Sequence, residues 1–258
     1  MDLEIYSIEG QPVRTTTLPP VFSTPFRPDL IKRAVLAQQT HTLQPYGPSP
    51  LAGMKTSAES QGVGRGIARV PRVKGHGSPS ASRGARAPFT VGGRASHPPT
   101  PAKRIHEKIN RTERRLAINS AIAATTNPIL VIARGHAVMD AVNLPIIVEN
   151  QMETLSTTRD VATALQHLGA WPDVQRAKGG KKIRAGKGKR RGRKYKRPKG
   201  PLLVINEDRG IIRGATNLPG LDVIRVAHLN ANVLAPGTVP GRFTIWIESA
   251  VKALEPPS

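Results

Sequence analysis

Short apolar runs recur along the second half of the chain with few polar residues inside them. They are Ile129–Ala133, Pro145–Val148, Leu202–Ile205, Val223–Val226 and Phe243–Ile247. Continuous runs of this kind, rich in β-branched side chains, are typical of strands that are buried on both faces of a parallel sheet. We therefore expect these runs to form a mainly parallel sheet, with Pro145 at the first residue of its strand or on an edge.

The N-terminal segment has a different pattern, because polar and apolar residues alternate over Asp2–Ile8. Alternation predicts a half-buried strand, and we expect this strand at an edge of the sheet, ended by Gly10 and Pro12. The prolines at positions 19, 20 and 25 predict a linker between this strand and the next element.

Three later stretches have the apolar spacing of amphipathic helices. The first begins at Pro28, the second covers Asn110–Ala124, and the third covers Ser156–Leu168 and stops at Gly169. Helices that alternate with short buried strands predict an α/β fold in three layers, with a mainly parallel sheet in the middle.

Residues 42–103, called here the long loop, interrupt this pattern. They contain 10 glycines and 9 prolines in 62 positions, and no helical or strand period continues for more than a few residues. Ordering a residue's backbone costs roughly 1–2 kcal/mol, and the long loop has no apolar face that could offset this. We expect it to be an extended internal loop that is either disordered or ordered by a partner.

The formal charge of +22 is confined to two segments. The long loop carries nine basic residues and one acid, Glu59, and residues 176–199, called here the basic insertion, carry fourteen basic residues and no acid. The rest of the chain has sixteen residues of each sign. We therefore expect a neutral globular body, formed by 1–41 and 104–258, that carries two cationic segments. This distribution favours nucleic acid as the partner over a membrane surface or an acidic protein.

The candidate RNA-binding side chains are the basic residues of both segments. In the long loop they are Lys55, Arg65, Arg69, Arg72, Lys74, Arg83, Arg86, Arg94 and Lys103, and in the basic insertion they are Lys181, Lys182, Arg184, Lys187, Lys189, Arg190, Arg191, Arg193, Lys194, Lys196 and Arg197. Glycines between them let the backbone approach phosphates, which guanidinium groups bind through two hydrogen bonds. Apolar residues lie between the charges of the long loop, which favours folded RNA over a solvated electrostatic tail. These residues are Ile67, Val70, Val73, Phe89 and Val91.

Several kinds of catalytic or ligand site are excluded by spacing. Gly62–Gly66 lacks the preceding strand, the third glycine and the following helix of a dinucleotide site, and Gly179–Gly188 fails the P-loop spacing. The histidines share no metal-ligand spacing, and the chain has no cysteine and no Gly-x-Ser-x-Gly elbow. We expect no enzyme, no cofactor and no metal site. The acidic N-terminus and the lack of a long apolar run predict a cytoplasmic protein.

Longer motifs resemble one known family. They are Gly62–Gly75 with Gly92–Thr100, then Arg115–Ala124, and then Leu234–Ser249. With these motifs in this order, the chain is identified as a member of the universal large-subunit ribosomal protein number four family, in its archaeal and eukaryotic branch. The chain stops soon after Ser249, without the long C-terminal extension typical of eukaryotic members, so we expect an archaeal source.

The resemblance implies an α/β body with a long loop that enters the ribosome. It implies a structural role: the protein binds large-subunit rRNA, supports early assembly and lines the peptide exit tunnel. It places the loop tip at the tunnel constriction, beside large-subunit protein number twenty-two and the nascent peptide. The tip residues are Arg69, Val70, Pro71, Arg72, Val73, Lys74, Gly75 and His76.

The length of the long loop gives the same tip, because its midpoint falls near residue 72. An alternative is that the chain reverses nearer Ser78–Ser82. We expect one copy per large subunit, no homo-oligomer, and a cytoplasmic location in the ribosome.

Two other classes of function stay open from the residues alone. A compaction or chaperone protein would use the same cationic segments on any nucleic acid. A nucleotide-using enzyme on the α/β body would need a glycine-rich turn directly after an apolar strand, and the sequence has none.

Overall fold

The computed structural model describes residues 2–139 and 143–254. The chain divides into two compact units. The first unit is formed by Met1–Thr40 and Glu107–Ser258, and the second unit by His41–His106. The long loop lies within the second unit, and the basic insertion lies within the first.

A six-stranded sheet forms the centre of the first unit in its described residues. The strands of the described residues are β1 (Asp2–Tyr6), β2 (Pro12–Thr17), β3 (Ile146–Val148), β4 (Lys182–Ile183), β5 (Tyr195–Lys196), β6 (Leu202–Ile205), β7 (Asp222–Arg225) and β8 (Thr244–Ile247). The sheet order is β2-β1-β3-β8-β6-β7, and every neighbouring pair except β1 and β2 runs parallel. Four of the five apolar runs thus form strands, and the mainly parallel sheet is confirmed.

Both faces of the central strands are covered. Every residue of β3, β6 and β8 is buried, and successive side chains of a strand point to opposite faces. On one face, the ring of Trp246 packs edge-on against Phe22, with a centroid distance of 5.3 Å. The sheet is therefore the middle of three layers, and the predicted α/β class is confirmed.

Helices supply the outer layers. They are α1 (Pro28–Thr40), α2 (Arg111–Ala123), α3 (Pro128–Ala133), α4 (Thr158–His167), α5 (Trp171–Gly179), α6 (Ile211–Ala215), α7 (Ala231–Leu234) and α8 (Glu248–Lys252). The predictions of α1, α2 and α4 are confirmed to within a few residues. Helix α4 begins where the Thr157 hydroxyl accepts a hydrogen bond from the Asp160 amide at 3.2 Å, and the chain leaves it through Gly169 at a φ of +68°.

The apolar run Ile129–Ala133 was predicted to be a strand, and this is wrong, because it forms α3. The side chain of Asn127 caps the helix by accepting a hydrogen bond from the Ile129 amide at 3.0 Å, and Pro128 occupies the first turn. Five apolar residues fit a strand or a short helix equally well, and here the cap decides between them.

The edge position expected for the N-terminal strand is also wrong, and of the two alternatives for Pro145 the structure supports the start of a strand rather than an edge. The N-terminal strand β1 is not at an edge, because β2 turns back through Gly10, pairs with it and takes the edge position. Pro145 precedes β3, which lies between β1 and β8 in the interior of the sheet. Its missing N–H therefore falls just outside the hydrogen-bonded ladder.

The predicted linker after β2 is partly structured. Pro20–Ser23 forms one turn of 3-10 helix, which buries Phe22 in the core. An aromatic ring in a proline-rich segment is enough to fix that segment on the sheet, because burying such a ring contributes about 1.5–3 kcal/mol.

The second unit has little regular structure. Its backbone pairing consists of two antiparallel bridges, Glu59 with Arg72 and Arg72 with Gly84, and Ala58 and Ala85 are its buried apolar residues. Across both described ranges, no helix combines the length and the apolar character that crossing a membrane requires.

Candidate nucleic-acid interface

Most of the predicted RNA-binding side chains are open to solvent. Seventeen of the twenty are exposed, and the three half-buried ones are Arg72, Arg86 and Arg184. Exposed cations can reach phosphates from solvent. The three half-buried arginines therefore require a separate explanation.

Each half-buried arginine binds a backbone carbonyl of its own segment. Arg72 Nη1 donates to Ser82 O at 2.9 Å, and Arg86 Nη2 donates to Thr56 O at 3.1 Å. In the basic insertion, Arg184 Nε donates to Arg193 O at 3.1 Å. These side chains hold together stretches that have few other hydrogen bonds, so they organise the cationic segments from within.

The predicted tip residues 69–76 span the end of one chain reversal and the start of the next. The amide and carbonyl of Arg72 pair with Glu59, and the neighbouring Val73 exchanges hydrogen bonds with Ser82 and Arg83. Residues 71–73 are thus the middle segment of three paired segments. One reversal covers residues 60–71 and contains Gly62, Gly64 and Gly66 at positive φ, and the other covers 73–83 and contains Gly75 and Gly77 at positive φ.

The one acid of the long loop pairs with a predicted tip residue. Lys74 Nζ lies 2.5 Å from Glu59 Oε2, and both side chains are exposed. The hydrogen bond and the charge of Lys74 lower the pKa of Glu59. The pair reinforces the backbone pairing of Glu59 with Arg72, and because it is exposed its contribution to stability is small.

Apolar side chains of the second unit are exposed among its cations. Phe89 and Val91 are 78% and 101% exposed, and Ile67 is also exposed, whereas Val70 and Val73 are half-buried. Apolar groups that are left open beside cations are available to pack against sugars and bases.

The basic insertion is a short hairpin. Its first residues complete α5, its two strands β4 and β5 pair antiparallel, and a 3-10 turn at Lys187–Arg190 lies between them. Every basic side chain from Lys187 to Arg191 is exposed on this turn. The turn of the hairpin therefore presents a dense group of cations to solvent.

The base of the hairpin is held by buried Asp173, which the sequence analysis did not single out. This carboxylate is fully buried and accepts from His136 Nδ1 at 2.9 Å, from the Ala137 amide at 2.9 Å and from Arg176 Nε at 2.7 Å. Arg176 also donates to the carbonyl of Lys199 at 2.7 Å, so it joins the two ends of the basic insertion. The i, i+3 spacing of Asp173 and Arg176 on a helix was a signal available in the sequence.

A second carboxylate lies at the same base. Asp222 Oδ2 accepts from Lys199 Nζ at 2.9 Å and from Arg242 Nη2 at 2.6 Å. Two basic residues of the insertion therefore hold its base to the rest of the first unit: Arg176 binds Asp173, and Lys199 binds Asp222. No pattern in the sequence pointed to Arg242, which is distant along the chain and completely buried.

The ionisation of these groups follows from their burial and their partners. Burial raises the pKa of Asp173, but hydrogen bonds from His136 and Arg176 outweigh it and keep the pKa below its usual value. Burial lowers the pKa of His136, against the opposing effect of Asp173. Burial and the neighbouring cations Arg242 and Arg176 lower the pKa of Arg134 to about 10. At neutral pH, both carboxylate and guanidinium groups are charged and the imidazole is neutral, so His136 donates from Nδ1.

Within residues 2–139 and 143–254, no group of three or more histidine, aspartate or glutamate side chains is arranged to hold a metal ion. Each of the two cationic segments is braced by its own side chains, and the remaining residues carry equal numbers of acidic and basic groups. That arrangement can bind a polyanion.

Comparison with known proteins identifies the family. The model of the ribosomal protein L4/L1 family matches residues 16–256. The chain is 49% identical to the large ribosomal subunit protein uL4 of Methanopyrus kandleri, over 99% of this chain and 98% of that protein. It is 49% identical to the protein of the same name from Methanosphaera stadtmanae, over 98% and 95% of the two chains, and 50% identical to that of Methanothrix thermoacetophila, over 99% of each.

These relatives confirm the family and the archaeal branch that the motifs predicted. The prediction that the chain is not an enzyme is confirmed with them, because the family is one of structural ribosomal proteins. The chain belongs to the ribosomal protein L4/L1 family.

Proposed function

We propose that the protein is a structural constituent of the large ribosomal subunit in the cytoplasm, where it binds large-subunit rRNA through the second unit and the basic insertion. The observation that carries this proposal is the near-complete match to archaeal proteins named large ribosomal subunit protein uL4. The concentration of exposed cations in two segments of an otherwise neutral chain supports it independently.

Phosphate neutralisation by the hairpin turn has a direct test. Replacement of Lys187, Lys189, Arg190 and Arg191 by glutamine should weaken binding to large-subunit rRNA fragments and flatten the salt dependence of the binding constant, because fewer counterions are released. The matched control changes four exposed cations of the helical layers, Lys32, Arg33, Arg159 and Arg213, to glutamine. Equal salt slopes for the two variants would contradict the assignment.

We further propose that the protein joins the subunit early in assembly, as one copy and without forming a homo-oligomer. A tagged protein should sediment with large subunits and their precursors at a ratio of one. Its absence from precursor particles would contradict an early role, and its absence from large subunits would overturn the proposed function itself.

The last part of the proposal is that residues 69–76 line the exit tunnel, beside large-subunit protein number twenty-two and the nascent peptide. The two reversals on either side of Arg72 support a compact, glycine-rich tip that could occupy a narrow space. Deletion of Val70–Gly77 should leave incorporation into the subunit intact and change the crosslinking of nascent chains. Crosslinks that form only to residues 78–86 would assign the constriction to the second reversal instead.

A further inference from the structure

The two strands of the basic insertion place one apolar pair among the cations. In the register of β4 and β5, Ile183 lies opposite Tyr195 and Lys182 lies opposite Lys196. Residues that are directly opposite share a face of a hairpin, and successive residues alternate between faces. One face of the hairpin therefore carries Ile183 and Tyr195, and the other carries the two lysines.

The apolar face is not covered by the rest of the described chain. Ile183 is 64% exposed and Tyr195 is 46% exposed. Lys181 Nζ lies 4.1 Å from the centroid of the Tyr195 ring, and Lys194 Nζ lies 5.5 Å from it. The single aromatic ring of the basic insertion is thus exposed to solvent, with Lys181 over it and both ammonium groups within the range of about 6 Å for a cation–π interaction.

A shallow groove of about 650 Å³ runs beside this ring. Arg184, Arg193, Lys194 and Arg197 line it together with Tyr195 and Gly192, and no acidic side chain contributes to the lining. A ligand in this groove would meet a planar ring and several cations at once, which is the combination that single-stranded nucleic acid requires.

We propose that Tyr195 is a stacking platform for one unpaired nucleobase of RNA, whose adjoining phosphates are bound by Arg193 and Arg197 in the groove. This inference rests on the proposed RNA-binding function and adds a contact that does not depend on charge. An unpaired base is required because paired bases are stacked inside their own helix, out of reach of a ring on a hairpin surface. A peptide is the poorer fit, because it would have to supply several carboxylates to match the groove.

Tyr195 has a second role, since a cross-strand pair with Ile183 also stabilises the hairpin. Two substitutions separate the roles. Tyr195→Phe keeps the ring, and Tyr195→Leu keeps an apolar partner for Ile183 but removes the stacking surface. Lys189→Gln with Arg190→Gln serves as the comparison for a purely electrostatic loss.

The experiment measures binding of the full chain to a labelled 12-nucleotide oligoadenylate and to an RNA duplex of 12 base pairs, by fluorescence anisotropy over a range of salt concentrations. Tyr195→Leu should weaken oligoadenylate binding about tenfold, within the range for loss of one stacked base, with an unchanged salt slope and unchanged duplex binding. Tyr195→Phe should bind as the wild type does. The double variant Lys189→Gln with Arg190→Gln should weaken binding to both RNAs and reduce the salt dependence of both binding constants.

Photocrosslinking with oligoadenylate and mapping by mass spectrometry provides a second readout that needs no variant. Crosslinks at Tyr195 support the proposal. If Tyr195→Leu weakens binding to both RNAs equally, or to neither, the stacking role is overturned. The proposed RNA-binding function would still stand. Failure of the wild-type chain to bind either RNA in a salt-dependent way would instead contradict the proposed function.

Discussion

Arg242 Nη2 donates to Asp222 Oδ2 across 2.6 Å, and this pair joins the starts of β8 and β7 on either side of β6. The guanidinium is completely buried, and its other donors bind the carbonyls of Gly200, Pro201 and Val233. Burial lowers the pKa of Arg242, and the charge of Asp222 opposes this effect. The arginine therefore stays charged inside the protein because the carboxylate and three carbonyls replace its hydration.

The first prediction concerns this pair. Asp222→Ala should lower the free energy of unfolding by about 3 kcal/mol, because it leaves a buried cation without its counter-charge. The Asp222 side chain is 38% exposed, so the loss should fall at the low end for a broken buried pair. Urea denaturation measures it. Glu207→Ala, which breaks an exposed pair with Arg209, should cost less than about 1 kcal/mol, and an equal cost for the two changes would contradict this account.

The second prediction concerns the close approach of backbone segments at the base of the basic insertion. Gly220 has a φ of +81°, and a Cβ there would lie 2.5 Å from the Cβ of Ala177. Gly220→Ala should cost about 2–4 kcal/mol, from both backbone strain and overpacking. Gly237 has a φ of +73° with open space around it, so Gly237→Ala should cost only the strain, about 1 kcal/mol. Thermal unfolding of both variants tests the difference, which should vanish if packing at Gly220 is unimportant.

The third prediction concerns pH. Burial lowers the pKa of His136, which faces Asp173, Arg176 and Arg134, so below about pH 6.5 the unfolded chain binds a proton that the native protein does not. The free energy of unfolding should therefore fall as the pH drops from 7 to 5. His136→Gln can still donate to Asp173 but cannot titrate, and it should flatten this part of the profile. The control His228→Gln, at an exposed position, should leave this part of the profile as it is in the wild type. If the wild type and both variants show the same dependence of unfolding free energy on pH, His136 is not the cause.

The fourth prediction concerns the second unit of the free protein. Trypsin should cut after Arg65 and Arg69 before it cuts after Arg72 and Arg86, because the first two are exposed and the last two are half-buried and bound to carbonyls. Time-resolved digestion with mass spectrometry gives the order.

A variant tests the cause of that order. Arg72→Ala removes the hydrogen bond to Ser82 O and should speed the cut after Arg83, whereas Arg65→Ala should leave that cut unchanged. Early cleavage after Arg86 in the wild type would show that its carbonyl contact does not hold the segment together.

The sequence by itself determined the charge distribution, the buried strands and the family. The concentration of positive charge in two segments follows from the sequence alone, because it depends only on which residues occupy 42–103 and 176–199. The strands β3, β6, β7 and β8 were predictable because a continuous run of apolar, β-branched residues is a local property of the sequence. Helix α3 was missed although its cap, Asn127 before Pro128, was visible, because five apolar residues do not distinguish a short helix from a strand.

The tertiary structure alone decided which of the basic residues are anchors and which are free to bind. Arg72, Arg86 and Arg184 look like their exposed neighbours in the sequence, and only the folded chain places carbonyls beside them. The pairing of Asp222 with Arg242, and of Tyr195 with Ile183, depends on strand register and on the order of strands in the sheet. Secondary-structure propensity and apolar periodicity are properties of a few neighbouring residues. These contacts join residues that only the folded structure brings together.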